Sequence, residues 1–202
     1  MELIPTPDEV LALLRRTGGL RSGYFELPGG ILTNEYLQVA ITMSDFHASN
    51  ILSVALSRKF RSNSDIRALL PNVSVVAPAI GGLPVAYGVA EALRARRVFW
   101  SERENDDEPV HFRQFLELSP GEKVILVDDI YRTGTKLSET KKLVESAGGE
   151  VLAVGVIVEQ PAPGAHTFGS LPFYSLAKLP PLGPLTADPG DRKSTRLNSS
   201  HT

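Results

Sequence analysis

Four consecutive apolar β-formers, Val124-Ile-Leu-Val127, run straight into two carboxylates, Asp128 and Asp129, and then into Arg132-Thr-Gly-Thr-Lys136. A strand that is apolar at every position is buried on both faces, as in a parallel sheet covered by helices. In open α/β folds, ligands bind at the C-terminal edge of such a sheet. Two adjacent carboxylates delivered there are costly unless they meet hydroxyls, a metal or a cation. Gly134 lets the backbone bend and expose N–H groups. Thr133 and Thr135 add hydroxyls, and Lys136 adds charge where a helix opens, which makes an anion cradle. Carboxylates for sugar hydroxyls beside a nest for a phosphate describe a ribose 5-phosphate site. Singly, each piece is weaker: Asp-Asp after a strand also occurs in Mg²⁺-binding sheets, and Thr-Gly-Thr is often only a turn. Their order in a strand–loop–helix context carries the reading.

The rest of the chain supplies the scaffold such a site needs. Thr6-Pro-Asp-Glu9 predicts a capped helix start, with Val10, Leu11, Leu13 and Leu14 on its apolar face and Gly18-Gly19 as its stop. Tyr24-Phe-Glu-Leu27, a Pro28-Gly-Gly turn and residues 31–41 read as a hairpin or meander. Helical spacing returns from Asp45 to about Phe60, through Phe46, Ile51, Leu52, Ala55 and Leu56. Strands are then expected at 73–77, 97–100, 124–127 and 151–158, and helices at 82–93 and 137–147. Residues 102–108 are polar and acidic and read as a mobile loop. This alternation predicts an α/β, doubly wound, mainly parallel sheet. The expected layout is an N-terminal helix and hood (1–42), a core (43–178) and an irregular segment (179–190). Residues 191–202 read as a probable non-native tail, because Asp191 to His201 resembles an in-frame translated sequencing adapter. The alternative for that end is a genuine polar tail.

Composition removes several classes of function. No cysteine is present, so disulfides, thiolate metal sites and cysteine nucleophiles are excluded, in keeping with a cytoplasmic protein. The formal net charge of −2 gives no global field for nucleic acid or anionic membrane. No basic leader followed by an apolar run is visible, and no apolar stretch approaches the roughly 20 residues that span a bilayer. Neither a nucleic-acid nor a membrane partner is expected.

The 124–136 segment resembles the PRPP-binding signature of type I phosphoribosyltransferases, and over most of residues 5–177 the chain is most similar to the orotate phosphoribosyltransferases among them. The resemblance implies a type I phosphoribosyltransferase fold with a small hood, and transfer of ribose 5-phosphate from PRPP to a nitrogenous base with release of pyrophosphate. It implies a 5′-phosphate site at Arg132, Thr133, Gly134, Thr135 and Lys136. Ala79, Ile80, Gly81 and Gly82 resemble the pyrophosphate loop. Residues 101–104 and 113–115 resemble the two sides of the catalytic loop, which places Arg103 and Arg113, with His111 as a further candidate, beside the leaving group. Asp128 and Asp129 would hold the ribose and favour charge at C1. Phe25, Tyr36 and Gln160 are the base-side candidates. Mg²⁺ is expected to be bound mainly through PRPP, with no residues assigned as metal ligands, and a homodimer is implied.

Each of these residues also has a plainer reading. Arg103 in a Ser-Glu-Arg-Glu run could be a solvated surface charge, His111 a surface group, His47 a half-buried helix residue, and Trp100 part of the core or a wall. Two departures bear on the acceptor. The hood stretch Pro28-Gly-Gly-Ile-Leu32 has no charge, and the strand after the PRPP helix ends Val158-Glu159-Gln160, where orotate enzymes usually carry a basic residue. Gln160 cannot neutralise an anion. Three readings stay open at this point: an orotate-type enzyme, a transferase for a purine or other neutral base, and a PRPP-sensing regulator on the same fold.

Overall fold

In the computed structural model, which describes residues 4–27, 31–105, 107–181 and 195–196, the apolar runs become a sheet covered on both sides. The strand β3 (Val73–Pro78) is buried at all six positions, and β6 (Lys123–Tyr131) is buried from Val124 through Asp128. Successive side chains of a strand point to opposite faces, and these two strands divide accordingly. Val73, Val75, Ala77, Ile125 and Val127 join one core with Leu52, Leu56, Phe60, Val85 and Val89. Val76, Val124 and Leu126 join the other with Leu137, Val144, Val154 and Val156. Each fully buried Val, Ile or Leu here contributes about 1.5–3 kcal/mol.

The main sheet has six strands in the order β5-β4-β3-β6-β7-β8, with β4 (Arg97–Glu102), β5 (His111–Phe112), β7 (Glu150–Glu159) and β8 (Phe173–Lys178). All neighbours are parallel except the short antiparallel pair β4–β5. The chain enters the sheet at β3, steps outward to β4, and then crosses back to β6 on the other side of β3. The order therefore reverses between β3 and β6, and the crevice at such a switch point is where a doubly wound sheet binds ligands. Helices α5 (Gly82–Leu93) and α6 (Thr135–Ser146) follow β3 and β6, so both helices start at that crevice.

Around this core, α1 (Pro7–Thr17) carries the expected capping box between Thr6 and Glu9, and Gly18 closes it. The hood is the antiparallel pair β1 (Leu20–Leu27) and β2 (Ile31–Leu37), joined on its outer side by a two-residue parallel stretch, β9 (Thr195–Arg196). The Pro28-Gly29-Gly30 turn lies outside the described residues. α3 (Phe46–Arg61) is capped by Asp45, whose carboxylate accepts from the Ala48 N–H at 2.8 Å.

Several boundaries differ from expectation. The second hood strand stops at Leu37, and residues Val39–Met43 form the short helix α2, which buries Val39, Thr42 and Met43. Phe46, counted on the apolar face of α3, is 84% exposed, and His47 is exposed rather than half-buried. Both open the first turn, whose next residue, Ala48, is the first to enter the core. Glu102, placed in the acidic loop, is the last residue of β4. The β6 strand runs on to Tyr131, and α6 begins at Thr135 rather than Leu137. The helix α4 (Ser64–Leu69) and the strands β5 and β8 were not foreseen.

Candidate active site

The carboxylates stand where β6 leaves the core. Asp128 is buried at 7% exposure, and its Oδ1 accepts the Asp129 N–H at 2.9 Å. Asp129 Oδ1 accepts the Ile130 N–H at 2.8 Å. Burial first, and the neighbouring Asp129 charge second, push the Asp128 carboxyl well above the usual carboxylate range. Lys136 opposes this from the cradle. Two acids held this way are poised to meet a cation or to accept from sugar hydroxyls.

Beyond them the chain turns at Gly134, which has φ 71° and opens α6. A Cβ at this position would lie 2.7 Å from the Tyr131 ring and 3.1 Å from the His166 carbonyl oxygen, so glycine is needed for both conformation and space. Tyr131 holds that wall in place: its hydroxyl donates to the His166 carbonyl at 2.7 Å. Thr133 Oγ1 accepts from the Thr135 N–H at 3.3 Å and lies 3.1 Å from the Thr135 hydroxyl. Thr133, Thr135 and Lys136 are otherwise exposed to the cavity mouth.

Across the crevice, the loop after β3 faces the acids closely. The Ala79–Ile80 peptide is cis. A Cβ on Gly81 would sit 2.9 Å from Asp129 Oδ2, and one on Gly82 would sit 3.0 Å from Asp128 Oδ1. The two loops enclose a cavity of about 360 Å³ lined by Ala79, Gly81, Asp128, Asp129, Arg132 and residues 133–137 among others. It continues into a larger cavity of about 1100 Å³, whose walls include Gln38, Ile80, Arg103, Lys136 and Glu139. The 133–136 turn, the acids, the 79–82 loop and Arg103 are thus brought together at the switch point. The helix starts of α5 and α6 add positive dipole ends there, an arrangement suited to anions.

Other candidates sit further out. Arg103 is ion-paired to Glu139 on α6. Arg113 is exposed and pairs with Glu102 at 3.3 Å, and it lines neither of the two cavities. His111 is exposed on β5. Trp100 is partly buried, donates to Glu102 Oε2 at 3.2 Å and lines neither cavity. In the hood, Phe25 and Tyr36 pack with ring centroids 5.4 Å apart. Arg132 turns toward that hood, and its Nη2 donates to the Leu37 carbonyl at 3.3 Å. Gln160 is buried at the end of β7. Sequence reading missed Gln38 and Glu139. Glu139 lies one helical turn beyond Lys136, a spacing that puts both on the same side of α6.

Comparison with known proteins agrees with this geometry. The phosphoribosyl transferase domain profile matches residues 55–167, which holds β3, the 79–82 loop, both acids and the cradle. Among solved structures, orotate phosphoribosyltransferase from Aeropyrum pernix superposes with a TM-score of 0.65 at 22% identity, covering 84% of this chain and 93% of that one. Adenine phosphoribosyltransferase from Thermoanaerobacter pseudethanolicus gives a TM-score of 0.62 at 18% identity, covering 83% of this chain and 99% of that one. The fold is that of the type I phosphoribosyltransferases. In sequence, the chain is 37% identical over 186 residues to orotate phosphoribosyltransferase from Carboxydothermus hydrogenoformans, covering 86% of this chain and 92% of that protein. It is 35% identical over 153 residues to the enzyme of the same name from Desulforamulus reducens, covering 76% and 75%. The chain belongs to the orotate phosphoribosyltransferase family.

Proposed function

We propose that this protein transfers ribose 5-phosphate from PRPP to orotate, giving orotidine 5′-phosphate and pyrophosphate. The observation that carries the reading is the meeting of the Asp128–Asp129 pair, the 133–136 cradle and the 79–82 loop around one crevice at the β3/β6 switch point. Thr133, Gly134, Thr135 and Lys136 hold the 5′-phosphate through backbone N–H groups, hydroxyls and the lysine charge. Asp128 and Asp129 accept from the ribose hydroxyls. Ala79, Ile80, Gly81 and Gly82 present backbone to the pyrophosphate. As the C1–O bond to pyrophosphate breaks and the C1–N bond to the base forms, positive charge at C1 is favoured by the acids. Negative charge on the leaving group is met by Arg103, which exchanges Glu139 for pyrophosphate, with Arg113 and His111 further along the same loop. Closure of that loop keeps water from the activated sugar.

The site suits Mg²⁺ carried by its substrate. Asp128 and Asp129 offer two carboxylates whose mutual repulsion a cation relieves. Oxygens of PRPP would complete the shell, since Mg²⁺ keeps few protein ligands and takes the rest from substrate phosphates and water. Mg²⁺ bound this way would neutralise charge on the pyrophosphate. Phe25 and Tyr36 form the aromatic wall for the base. We also read the enzyme as a cytoplasmic homodimer; the exposure of the arginine-bearing loop at Arg113 and at Phe115, which is 88% exposed, supports a partner there. Among the described residues no helix is long and apolar enough to cross a membrane.

Pyrophosphate release tests the reading. The purified protein with PRPP, Mg²⁺ and a panel of bases releases pyrophosphate with orotate. Release with none of the bases overturns it.

A further inference from the structure

Two buried polar atoms beside the site lack hydrogen-bond partners among the described residues, Arg132 Nε and Gln160 Oε1. The third such atom, Ser53 Oγ, faces Gly88 at the packing of α3 on α5, inside the core. The residues that carry the first two are neighbours across adjacent strands. Tyr131 pairs with Glu159 in the β6–β7 register, and the Gln160 N–H donates to the Tyr131 carbonyl at 2.9 Å. That bond carries the parallel ladder one step further and sets Gln160 opposite Arg132. Tyr131 packs on Phe173 and Phe168 on the α6 side of the sheet. Arg132 goes the other way, under the hood, where it meets the Leu37 carbonyl and lies near Tyr36 and Asp129, the Asp129 charge opposing the effect of burial.

The chemistry of the pair is complementary. Burial pulls the Arg132 guanidinium down from its ordinary value, yet an arginine stays charged in a protein. A partly buried guanidinium whose Nε has no acceptor among the described residues gains from an anion that reaches it. Gln160 is 4% exposed, and its Oε1 is an acceptor without a partner among the described residues. Arg132 lines the crevice with the acids and lies near both Asp129 and Tyr36, so it faces the side of the crevice where the hood would hold a base.

We infer that Arg132 selects the acceptor: its guanidinium pairs with negative charge on the incoming base, a carboxylate or an ionised imide, while Gln160 Oε1 takes an N–H of the same ring. The acceptor that the transfer reading requires is an anion. Gln160 alone could not neutralise it, and the cation comes from the adjacent strand. The inference rests on the phosphoribosyl-transfer reading and reassigns Arg132 from the phosphate cradle to the base.

The test compares orotate, orotate methyl ester and uracil as acceptors, with PRPP and Mg²⁺, in the wild-type protein and in Arg132→Gln and Arg132→Lys. PRPP affinity is measured separately by calorimetry. Wild type is expected to favour orotate over its neutral ester and uracil by about 100-fold in kcat/KM. Arg132→Gln is expected to lose about 100-fold with orotate, mostly through KM, and to change PRPP affinity less than about threefold. Arg132→Lys should recover part of the loss. Equal loss of PRPP affinity in Arg132→Gln returns the residue to the phosphate and overturns the inference, as does an unchanged orotate KM. Wild-type preference for the ester or for uracil overturns it even where the variants do not fold. Pyrophosphate release from no base at all is a different result and removes the transfer reading itself.

Discussion

Asp128 and Asp129 are joined by their own backbone: the Asp129 N–H donates to Asp128 Oδ1 at 2.9 Å, with Asp128 buried and its neighbour less so. The ligand-free protein therefore carries a carboxyl whose burial raises its proton affinity in the folded state. A carboxyl raised on folding favours the native state at low pH, and that contribution is lost as pH rises through its folded value. Asp128→Asn keeps the oxygen that accepts from Asp129 and removes the charge. We expect the variant to lose turnover and to melt about 2–4 °C higher at neutral pH, the shift that about 1 kcal/mol produces in a chain of this length. The gain should shrink toward pH 4. Calorimetric melts across pH 4–8 check both parts; a lower melting point at pH 7 would contradict the prediction.

Glu122 behaves in the opposite sense. Buried at the turn into β6, it receives the Ser74 hydroxyl, the Arg97 guanidinium and the Ser119 N–H, the last at 2.8 Å. Burial alone would raise its carboxyl, but these bonds together hold it below the usual glutamate value. The stability they give is present above about pH 4.5 and lost as pH falls through the folded value. Glu122→Gln should cost about 2 kcal/mol at pH 7 and progressively less as pH falls below about 4.5, with kcat little changed because the turn is remote from the crevice. Urea titrations at the two pH values measure the difference.

Gly134→Ala places a methyl against the Tyr131 ring and the His166 carbonyl at a residue with φ 71°. The cradle must shift to relieve it. PRPP affinity measured by calorimetry should fall tenfold or more, about 1.4 kcal/mol. An unchanged affinity would place the 5′-phosphate elsewhere.

Arg103→Ala removes one partner of a partly exposed ion pair with Glu139. Such pairs contribute little to stability, about 0–1 kcal/mol, so the melting point should stay within about 2 °C. Loss of a cation aimed at the leaving group should lower kcat about 100-fold or more. A fall in kcat of less than threefold would return Arg103 to the surface role that its sequence context suggests.

The parallel core was legible because its strands are apolar at every position, and the acids and cradle because they directly follow one of those strands. The hood was less so. Val39, Thr42 and Met43 have helical spacing, but two of the three are β-branched and continue a strand-like run, so the break at Gln38 was hidden. Phe46 looked apolar and proved exposed because it opens α3 before the first residue to enter the core, Ala48. The contacts that define the site's edges were invisible for a simpler reason. Arg103 meets Glu139 at a separation of 36 residues, and Arg132 meets Leu37 at 95. No local pattern records such pairs; the crossing of the chain at β3 and β6 creates them.

The most direct test of transfer at Asp128 and Asp129 is to follow PRPP and orotate with Mg²⁺ by mass spectrometry of the products. Orotidine 5′-phosphate and pyrophosphate should appear in equal amounts with the wild-type protein, and neither with Asp128→Asn paired with Asp129→Asn. Formation of neither product by the wild type, or equal formation by the paired variant, would contradict it.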